Sequence, residues 1–359
     1  LHSFPTRRSS DLHIVGNALC EQGELDKCEQ RLQAALEMQR ELAGPDALLV
    51  APTLLGHAKL AQQRGALDIA ERYYNESLGI YRNQGQEQTS DAASVMNDLA
   101  GLYSYRGDFV KAETLYRAAL DIDRHALGQD HPQVAMHVHD IAVALQMQGK
   151  LAEAEPLYVE STQMLRRILG PQHPHTLDAL ANYGRFLRRS GNMARAEEVL
   201  SDVLASDRVA RGARHAFVGH DLVSLANVRL DRGSYTSAEQ DLRAALDIYA
   251  EALPAEHPYV ASALTGLGRA QLGQGLIKDA EQTLRRAIAM GEKSLPADSA
   301  PLATTKSALG VALLNQGQAD AATPLLRDSY PIIMKTLGED APLTKQVRDA
   351  LAGIEPARP

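Results

Sequence analysis

The sequence lacks several residue types and patterns on which common classes of protein depend. It has no tryptophan and only 4% aromatic residues, so leucine and alanine must fill most of the interior. No apolar run approaches the roughly 18–20 residues that a membrane-spanning helix needs, and we expect no membrane segment. The net charge of −8 argues against a general nucleic-acid binder, whose affinity rests on a basic surface.

Cysteine is also scarce, and this bears on the compartment. The two cysteines, Cys20 and Cys28, are too few for a disulfide framework and lack the spacing of a metal motif. A chain without structural disulfides is typical of a reducing environment. We therefore predict a cytoplasmic location.

Motifs for catalysis and cofactor binding are missing as well. The sequence contains no G-x-S-x-G and no glycine-rich phosphate loop. The densest histidine cluster is His125, His131, His137 and His139, and its last two members point in different directions on a helix, which does not suit zinc. We predict no catalytic residues, no metal and no cofactor, and hence no enzyme activity.

The sequence does contain a repeat. Eight glycines are spaced 42 residues apart: Gly23, Gly65, Gly107, Gly149, Gly191, Gly233, Gly275 and Gly317. The fifth residue after each is alanine, or Cys28 in the first repeat, and glutamate follows it in seven of the eight repeats. The seventh residue before each glycine is glycine or alanine. Such a period indicates a repeat architecture, which is more typical of a binding surface than of a catalytic pocket.

Each repeat has the pattern of two helices joined by a turn. In residues 131–170, one apolar stripe at helical spacing ends before Gly149, and a second runs from Leu151 to Ile168. Gly149 suits the turn because glycine tolerates positive φ. Pro174 suits the first turn of the following helix, where a missing N–H costs little.

The pattern of each repeat resembles the tetratricopeptide repeat. It consists of a large residue followed by the small one on the first helix, the turn glycine, the Ala-Glu pair and a later Tyr or Leu. The 42-residue period and the joints LGQDHPQVA (127–135) and LGPQHPHTL (169–177) resemble its kinesin light chain subclass. The resemblance implies an all-α fold, a right-handed α-solenoid of eight helix–turn–helix units. It also implies that the first helices line a concave groove in which a protein or peptide segment binds.

The two ends set the domain boundaries. Residues 1–12 do not fit the repeat, and HSFPTRRSSDL (2–12) resembles a translated sequencing adapter, so we expect the natural protein to extend further upstream. The repeat array covers residues 13–340. Residues 341–354 match an unpaired ninth first helix and are predicted to cap the solenoid, and residues 355–359 form a C-terminal tail.

The predicted groove has a basic centre. In the tetratricopeptide fold, positions ten, six, three and two before the turn glycine face the groove. The candidate ligand-binding residues are Arg185, Arg188 and Arg189 of the fifth repeat, with Gln146, Asn182, Asn227 and Arg269 around them. Two interpretations stay open. In the first, the arginines are ordinary solvated side chains, present because arginine is a good helix former. In the second, their guanidinium groups bind the carboxylates of an acidic ligand.

These patterns favour a protein–protein interaction scaffold that binds a peptide or disordered segment, in particular an acidic one, in its concave groove. The alternative is the regulatory or sensor region of a larger signalling enzyme whose N-terminal part is missing. Arrays that resemble this one occur in bacteria attached to serine/threonine kinases and nucleotide-binding switch ATPases. Self-association through the last repeat is a third hypothesis.

Overall fold

The computed structural model describes residues 4–354, and the predicted tail (355–359) and residues 1–3 lie outside the described residues. The described part contains seventeen α-helices, a single 3-10 turn at Leu48–Val50 and no β-strand. The prediction of an all-α fold is therefore confirmed. The first helix begins at Phe4, inside the adapter-like segment, and the origin of that segment stays a prediction.

The helices form eight consecutive hairpins and one closing helix. The first helices of the pairs are α1 (Phe4–Glu21), α3 (Ala51–Gln63), α5 (Ser90–Tyr105), α7 (Pro132–Met147), α9 (Pro174–Arg189), α11 (Ala216–Asp231), α13 (Pro258–Gly273) and α15 (Ala300–Asn315), followed by α17 (Pro342–Ile354). The second helices are α2 (Leu25–Ala43), α4 (Leu67–Asn83), α6 (Phe109–Leu127), α8 (Leu151–Leu169), α10 (Met193–Ala210), α12 (Tyr235–Ala252), α14 (Ile277–Ser294) and α16 (Ala319–Leu337).

The chain divides into two compact units. Unit 1 ends with α8 at Leu169, and unit 2 runs from Gly170 onward and contains α9 to α17. Within each unit the two helices of a hairpin pack against each other, and neighbouring hairpins pack side by side, as α6 does against α7 and α12 against α13. A hairpin cannot bury its apolar faces alone, so this stacking supplies the core, as in an α-solenoid.

The eight periodic glycines form the hairpin turns, as predicted. Gly149 has a φ of 80°, and its N–H donates to the Gln146 carbonyl oxygen at 3.0 Å while Lys150 N–H donates to Leu145 at 2.9 Å. This pattern satisfies the last carbonyls of the first helix and requires a left-handed residue. Glycine adopts that conformation without steric cost, which explains its recurrence at this position.

Small residues allow the two helices of a hairpin to cross closely. Ala112, Ala154, Ala196 and Ala238, the alanines that follow the turns, are completely buried. Histidines cap the first helices at the joints: the Nδ1 atoms of His131, His173, His215 and His257 each accept from the backbone N–H two residues later at 3.2 Å. His131 and His173 thus serve the joints as the N-caps of α7 and α9.

The cysteines differ from the expectation. We predicted no disulfide framework, but Cys20 and Cys28 are joined by a disulfide across the first turn, with their Cα atoms 5.2 Å apart. The prediction was wrong because Cys20 lies in the last turn of α1 and Cys28 in the first turn of α2, so the hairpin geometry brings together two positions that are eight residues apart. Cysteine usage therefore no longer argues for a reducing compartment.

The C-terminal helix α17 closes unit 2 without a partner of its own among the described residues. Leu343, Thr344 and Val347 are buried against α15 and α16, while Lys345, Arg348 and Asp349 lie on its more exposed side. Among the helices of residues 4–354, none is both long and apolar enough to cross a membrane.

Candidate functional site

The candidate site lies mainly on a row of first helices in unit 2. Helix α11 contacts α9 and α13, α13 contacts α15, and α15 contacts α17. We call the surface formed by these five helices the first-helix face of unit 2. Helices α9, α11 and α13 contribute Arg188, Asp231 and Arg269, which lie three, two and six residues before the turn glycines of their hairpins.

Two arginines share one carboxylate on this face. Arg188 of α9 donates from Nη1 to Oδ2 of Asp231, at the end of α11, at 2.5 Å. Arg269 of α13 donates from Nη2 to the other carboxylate oxygen, Oδ1, at 3.2 Å. The Asp231 side chain is only 7% exposed, against 29% for Arg188 and 16% for Arg269. The three side chains join three successive first helices and together carry one net positive charge.

Arg269 is the most deeply placed cation of the candidate site. Burial lowers the pKa of its guanidinium, and neighbouring Arg188 acts in the same direction, whereas Asp231 favours the charged form. Asn227 accepts from Arg269 Nη1 at 3.5 Å and donates from its own amide to the Val223 carbonyl at 3.0 Å. A cavity of about 70 Å³ adjoins Arg269, with room for more than one water molecule.

Arg185 belongs to a different cluster on the same helix. Its guanidinium donates to the Asn182 side-chain oxygen, and it lies close enough to His220 and Asp221 to affect both. Burial lowers the pKa of His220 to about 4, and Arg185 adds to this effect. Burial and a hydrogen bond to Asp207 raise the pKa of Asp221 to about 8, although Arg185 opposes this rise.

The other two predicted residues lie apart from these clusters. Arg189 is exposed, and among the described residues it takes part in no ion pair. Gln146 belongs to unit 1, where its amide oxygen accepts from the Tyr158 hydroxyl at 2.7 Å. Gln62 and Tyr74 form the same bond in the second hairpin at 3.0 Å, so this contact holds the two helices of a hairpin together.

The arginines of the loop between α10 and α11 are used within the fold. Arg211 donates to Asp207 at 2.8 Å and to Asp178 at 2.6 Å, and its guanidinium lies 4.4 Å from the centre of the Phe217 ring. Arg214 donates from Nε to Glu251 at 2.8 Å. These contacts leave the loop without the basic character that its composition indicates.

Asp231, the residue that organises the site, was not among the predicted site residues. The signal was present, because Asp231 stands two residues before Gly233, one of the positions expected to face the groove. Its pairing was not visible, because Arg188 and Arg269 are 43 and 38 residues away and meet it only through the stacking of three hairpins.

Stacked helical hairpins with a polar first-helix face define a helical-repeat protein of the α-solenoid class. The chain belongs to the tetratricopeptide repeat family. A family model described as tetratricopeptide repeat matches residues 9–83, 91–166, 135–208 and 222–293, and a second with the same description matches residues 302–342. No curated protein sequence matches the chain. The kinesin light chain subclass stays a prediction.

Several solved structures share the fold. The apo form of the quorum sensor NprR from B. thuringiensis is 14% identical, with a TM-score of 0.69, and covers 93% of this chain and 89% of its own. The apo form of RapI is 15% identical, with a TM-score of 0.60 and coverages of 80% and 98%. A signal transduction ATPase with numerous domains (STAND), which has a tetratricopeptide repeat sensor and comes from Pyrococcus horikoshii, is 12% identical. Its TM-score is 0.61, and the match covers 90% of this chain and 47% of that chain. These identities show the fold alone.

Proposed function

We propose that the protein is a non-catalytic interaction module that binds a peptide or disordered segment of another protein on the first-helix face of unit 2. The observation that carries the proposal is the pair of arginines on either side of Asp231. Arg188, Asp231 and Arg269 come from three successive first helices, so a segment lying across the helices would meet charged and amide groups in succession.

The chemistry of this pair favours an acidic ligand. A guanidinium group has five N–H donors, and a single carboxylate cannot satisfy those of both Arg188 and Arg269. An aspartate or glutamate side chain of a peptide would take up further donors, and the net positive charge of the three side chains would favour its approach. Asp231 limits this attraction, because it already neutralises one of the two cations.

The test is a peptide screen with the full chain, followed by measurement of Kd for the best peptide. We expect acidic peptides to be selected and their binding to weaken as salt rises. Arg188→Gln should weaken binding about tenfold or more, because a partly desolvated charge-assisted contact contributes about 1.5–3 kcal/mol. Arg195→Gln is the matched control, since Arg195 pairs with Glu198 on a second helix.

A substitution in the opposite direction sharpens the test. Asp231→Asn keeps a hydrogen-bond acceptor between the two arginines but removes the competing charge, so it should strengthen binding of the acidic peptide. Selection of apolar or basic peptides, or equal binding by wild type and Arg188→Gln, would show that these arginines are ordinary surface residues.

A second candidate function is the sensor region of a larger signalling enzyme. It is favoured by the likeness to the STAND protein, whose description assigns a sensor role to its tetratricopeptide repeats. Sequencing the gene upstream of residue 13 tests it. A kinase or P-loop ATPase domain there would support the sensor function, and a start codon shortly upstream would contradict it.

A further inference from the structure

Unit 1 contains an apolar cleft that the proposed function does not use. The cleft lies between the second helices α4 and α6, above the first helix α5, and has a volume of about 410 Å³. This volume falls in the range of small-molecule sites, about 300–1,000 Å³. Its floor includes Ala92 and Leu99, which are almost fully buried, and the half-buried Met96.

The rim of the cleft is more apolar than the corresponding positions of the preceding hairpins. Val110 is 63% exposed at the rim. The first two hairpins have aspartates at its repeat position, and Asp26 and Asp68 bind Arg64 and Arg106 at 2.7 and 2.6 Å. In the third hairpin Val110 stands in place of the aspartate, so an exposed apolar side chain lies beside the cleft where the first two hairpins form a surface ion pair.

A missing ion pair also distinguishes this junction of second helices. Arg40 of α2 binds Glu76 of α4 at 2.5 Å, and Arg124 of α6 binds Glu160 of α8 at 3.3 Å. Arg82 of α4 stands at the same repeat position, but Ala118 occupies the place of its glutamate partner on α6. The α4–α6 junction therefore lacks the bridge that the junctions on either side have.

Arg82 is consequently a cation without a protein partner. It is exposed, lines the cleft, and takes part in no ion pair within the described part of the chain. Lys111, a second cation of the lining, binds Asp108 at 2.9 Å and lies 5.1 Å from the centre of the Tyr103 ring. Glu87 is the only carboxylate among the lining residues described.

We propose that this cleft binds an elongated apolar molecule that carries a carboxylate. The apolar part would lie between α4 and α6 on Leu99 and Met96, and the carboxylate would take the place that glutamate occupies beside Arg40 and Arg124. The charge complementarity favours an anionic head group over a neutral or cationic one. The site is in unit 1 and is independent of the peptide site in unit 2.

The test is calorimetric titration of the full chain with decanoate and with decyltrimethylammonium, both below their micelle-forming concentrations. We expect decanoate to bind with one-to-one stoichiometry, and the cation to bind at least tenfold more weakly. Thr114→Trp fills the cleft from an exposed position of α6 and should weaken decanoate binding more than tenfold. Gln30→Trp, at the same repeat position of α2, is the matched control.

Two further variants test the head-group contact. Arg82→Gln removes the cation, and Ala118→Glu restores the missing protein partner, so each should weaken decanoate binding about fivefold, as expected for an exposed charge pair. Arg124→Gln, at the equivalent position, should leave binding unchanged. Melting temperatures close to that of wild type would show that the variants are folded.

Three outcomes would overturn the proposal. They are no measurable binding of decanoate by wild type, equal binding by Thr114→Trp and wild type, and equal affinity for the anionic and cationic probes. The first two would show that the cleft takes no such molecule, and the third that Arg82 does not select its charge.

Discussion

At the scale of single residues, glycine and leucine are matched in size where the helices of a hairpin cross. The residue seven positions before the turn is glycine in four hairpins, and an added Cβ would come within 2.5–2.8 Å of a leucine of the second helix. The pairs are Gly16 with Leu32, Gly184 with Leu200, Gly268 with Leu284 and Gly310 with Leu326. At these four crossings the leucine occupies the space that a Cβ would need, so glycine serves close packing there rather than backbone conformation.

Gly184→Ala should destabilise unit 2. Its new Cβ would lie 2.6 Å from Cγ of Leu200, a side chain that is completely buried and cannot withdraw. We expect a loss of about 1–3 kcal/mol in the free energy of unfolding, measured by urea denaturation. Gly79→Ala in α4 is the control, because nothing lies within 4 Å of its added Cβ, and helix propensity should raise stability by about 0.5–1 kcal/mol. Equal effects of both substitutions would contradict the packing argument.

A pair of buried carboxyl groups links α10 to α11. Asp207 and Asp221 are each only 2% exposed, and Arg211 compensates the charge of Asp207 at 2.8 Å. Because Asp221 is buried beside this second acid, it is stable in the folded protein mainly as the neutral carboxylic acid, which can donate to Asp207. The folded state therefore binds a proton that the unfolded state has already released.

This proton makes stability depend on pH in a defined direction. The pKa of Asp221 is raised to about 8 in the folded protein, above its value of about 4 in the unfolded chain. The free energy of unfolding should consequently fall as pH rises from about 4 to 8. Asp221→Asn should reduce that slope and increase stability at pH 8, as followed by thermal melts across the range. The exposed Asp202 of α10, replaced by asparagine, should not reduce the slope, and an unchanged slope in Asp221→Asn would contradict the assignment.

At the scale of the helices, the Ala-Glu pair has a structural role in the stacking of hairpins. The glutamate accepts from the residue just before the next turn glycine in six hairpin junctions. The pairs are Glu29 with Arg64, Glu71 with Arg106, Glu113 with Gln148, Glu197 with Arg232, Glu239 with Gln274 and Glu281 with Gln316. Hydrogen bonds from Gln274 and Gln316 lower the pKa of Glu239 and Glu281, so the carboxylate is the form that the fold favours.

In the first hairpin a disulfide bond joins the two helices in addition to their packing. Reduction of the Cys20–Cys28 disulfide should speed hydrogen exchange of α1 and α2, because cross-linking across eight residues contributes about 2–3 kcal/mol in the chain-entropy account. Helices α13 and α14, in unit 2, should exchange at the same rate before and after reduction and provide the internal control. Two free thiols found by alkylation of the unreduced protein would show that the disulfide does not form.

These elements show how far the sequence could predict the structure. The turns at the glycines, the buried alanines and the caps at His131 and His173 were predictable because each depends on contacts within one hairpin or joint. The shared partner of Arg188 and Arg269 was not predictable, because Asp231 contacts them only when three hairpins stack. The disulfide was missed for a related reason, since it depends on where two helix ends meet rather than on cysteine count.

At the scale of the whole molecule, stability is distributed along the chain. Within each unit, the helices contact only their hairpin partners and adjacent hairpins or helices, so no single core joins distant repeats. The free energy of such an array is close to a sum of hairpin terms and nearest-neighbour interfaces. A local defect should therefore open a local segment rather than the whole chain.

Ala112→Leu tests this view in unit 1. Ala112 is completely buried where α5 and α6 cross, so the larger side chain should cost about 1–3 kcal/mol by overpacking. Hydrogen exchange followed by mass spectrometry should show lost protection in α5 and α6, a smaller loss in the adjacent α4 and α7, and none in α13 to α16. Thr114→Leu is the control, because Thr114 is exposed on the same helix, and it should leave every helix protected. Uniform loss of protection over all seventeen helices would contradict this view. It would mean that the array unfolds as one cooperative body, because a defect in one hairpin would then lower the protection of hairpins that it does not contact.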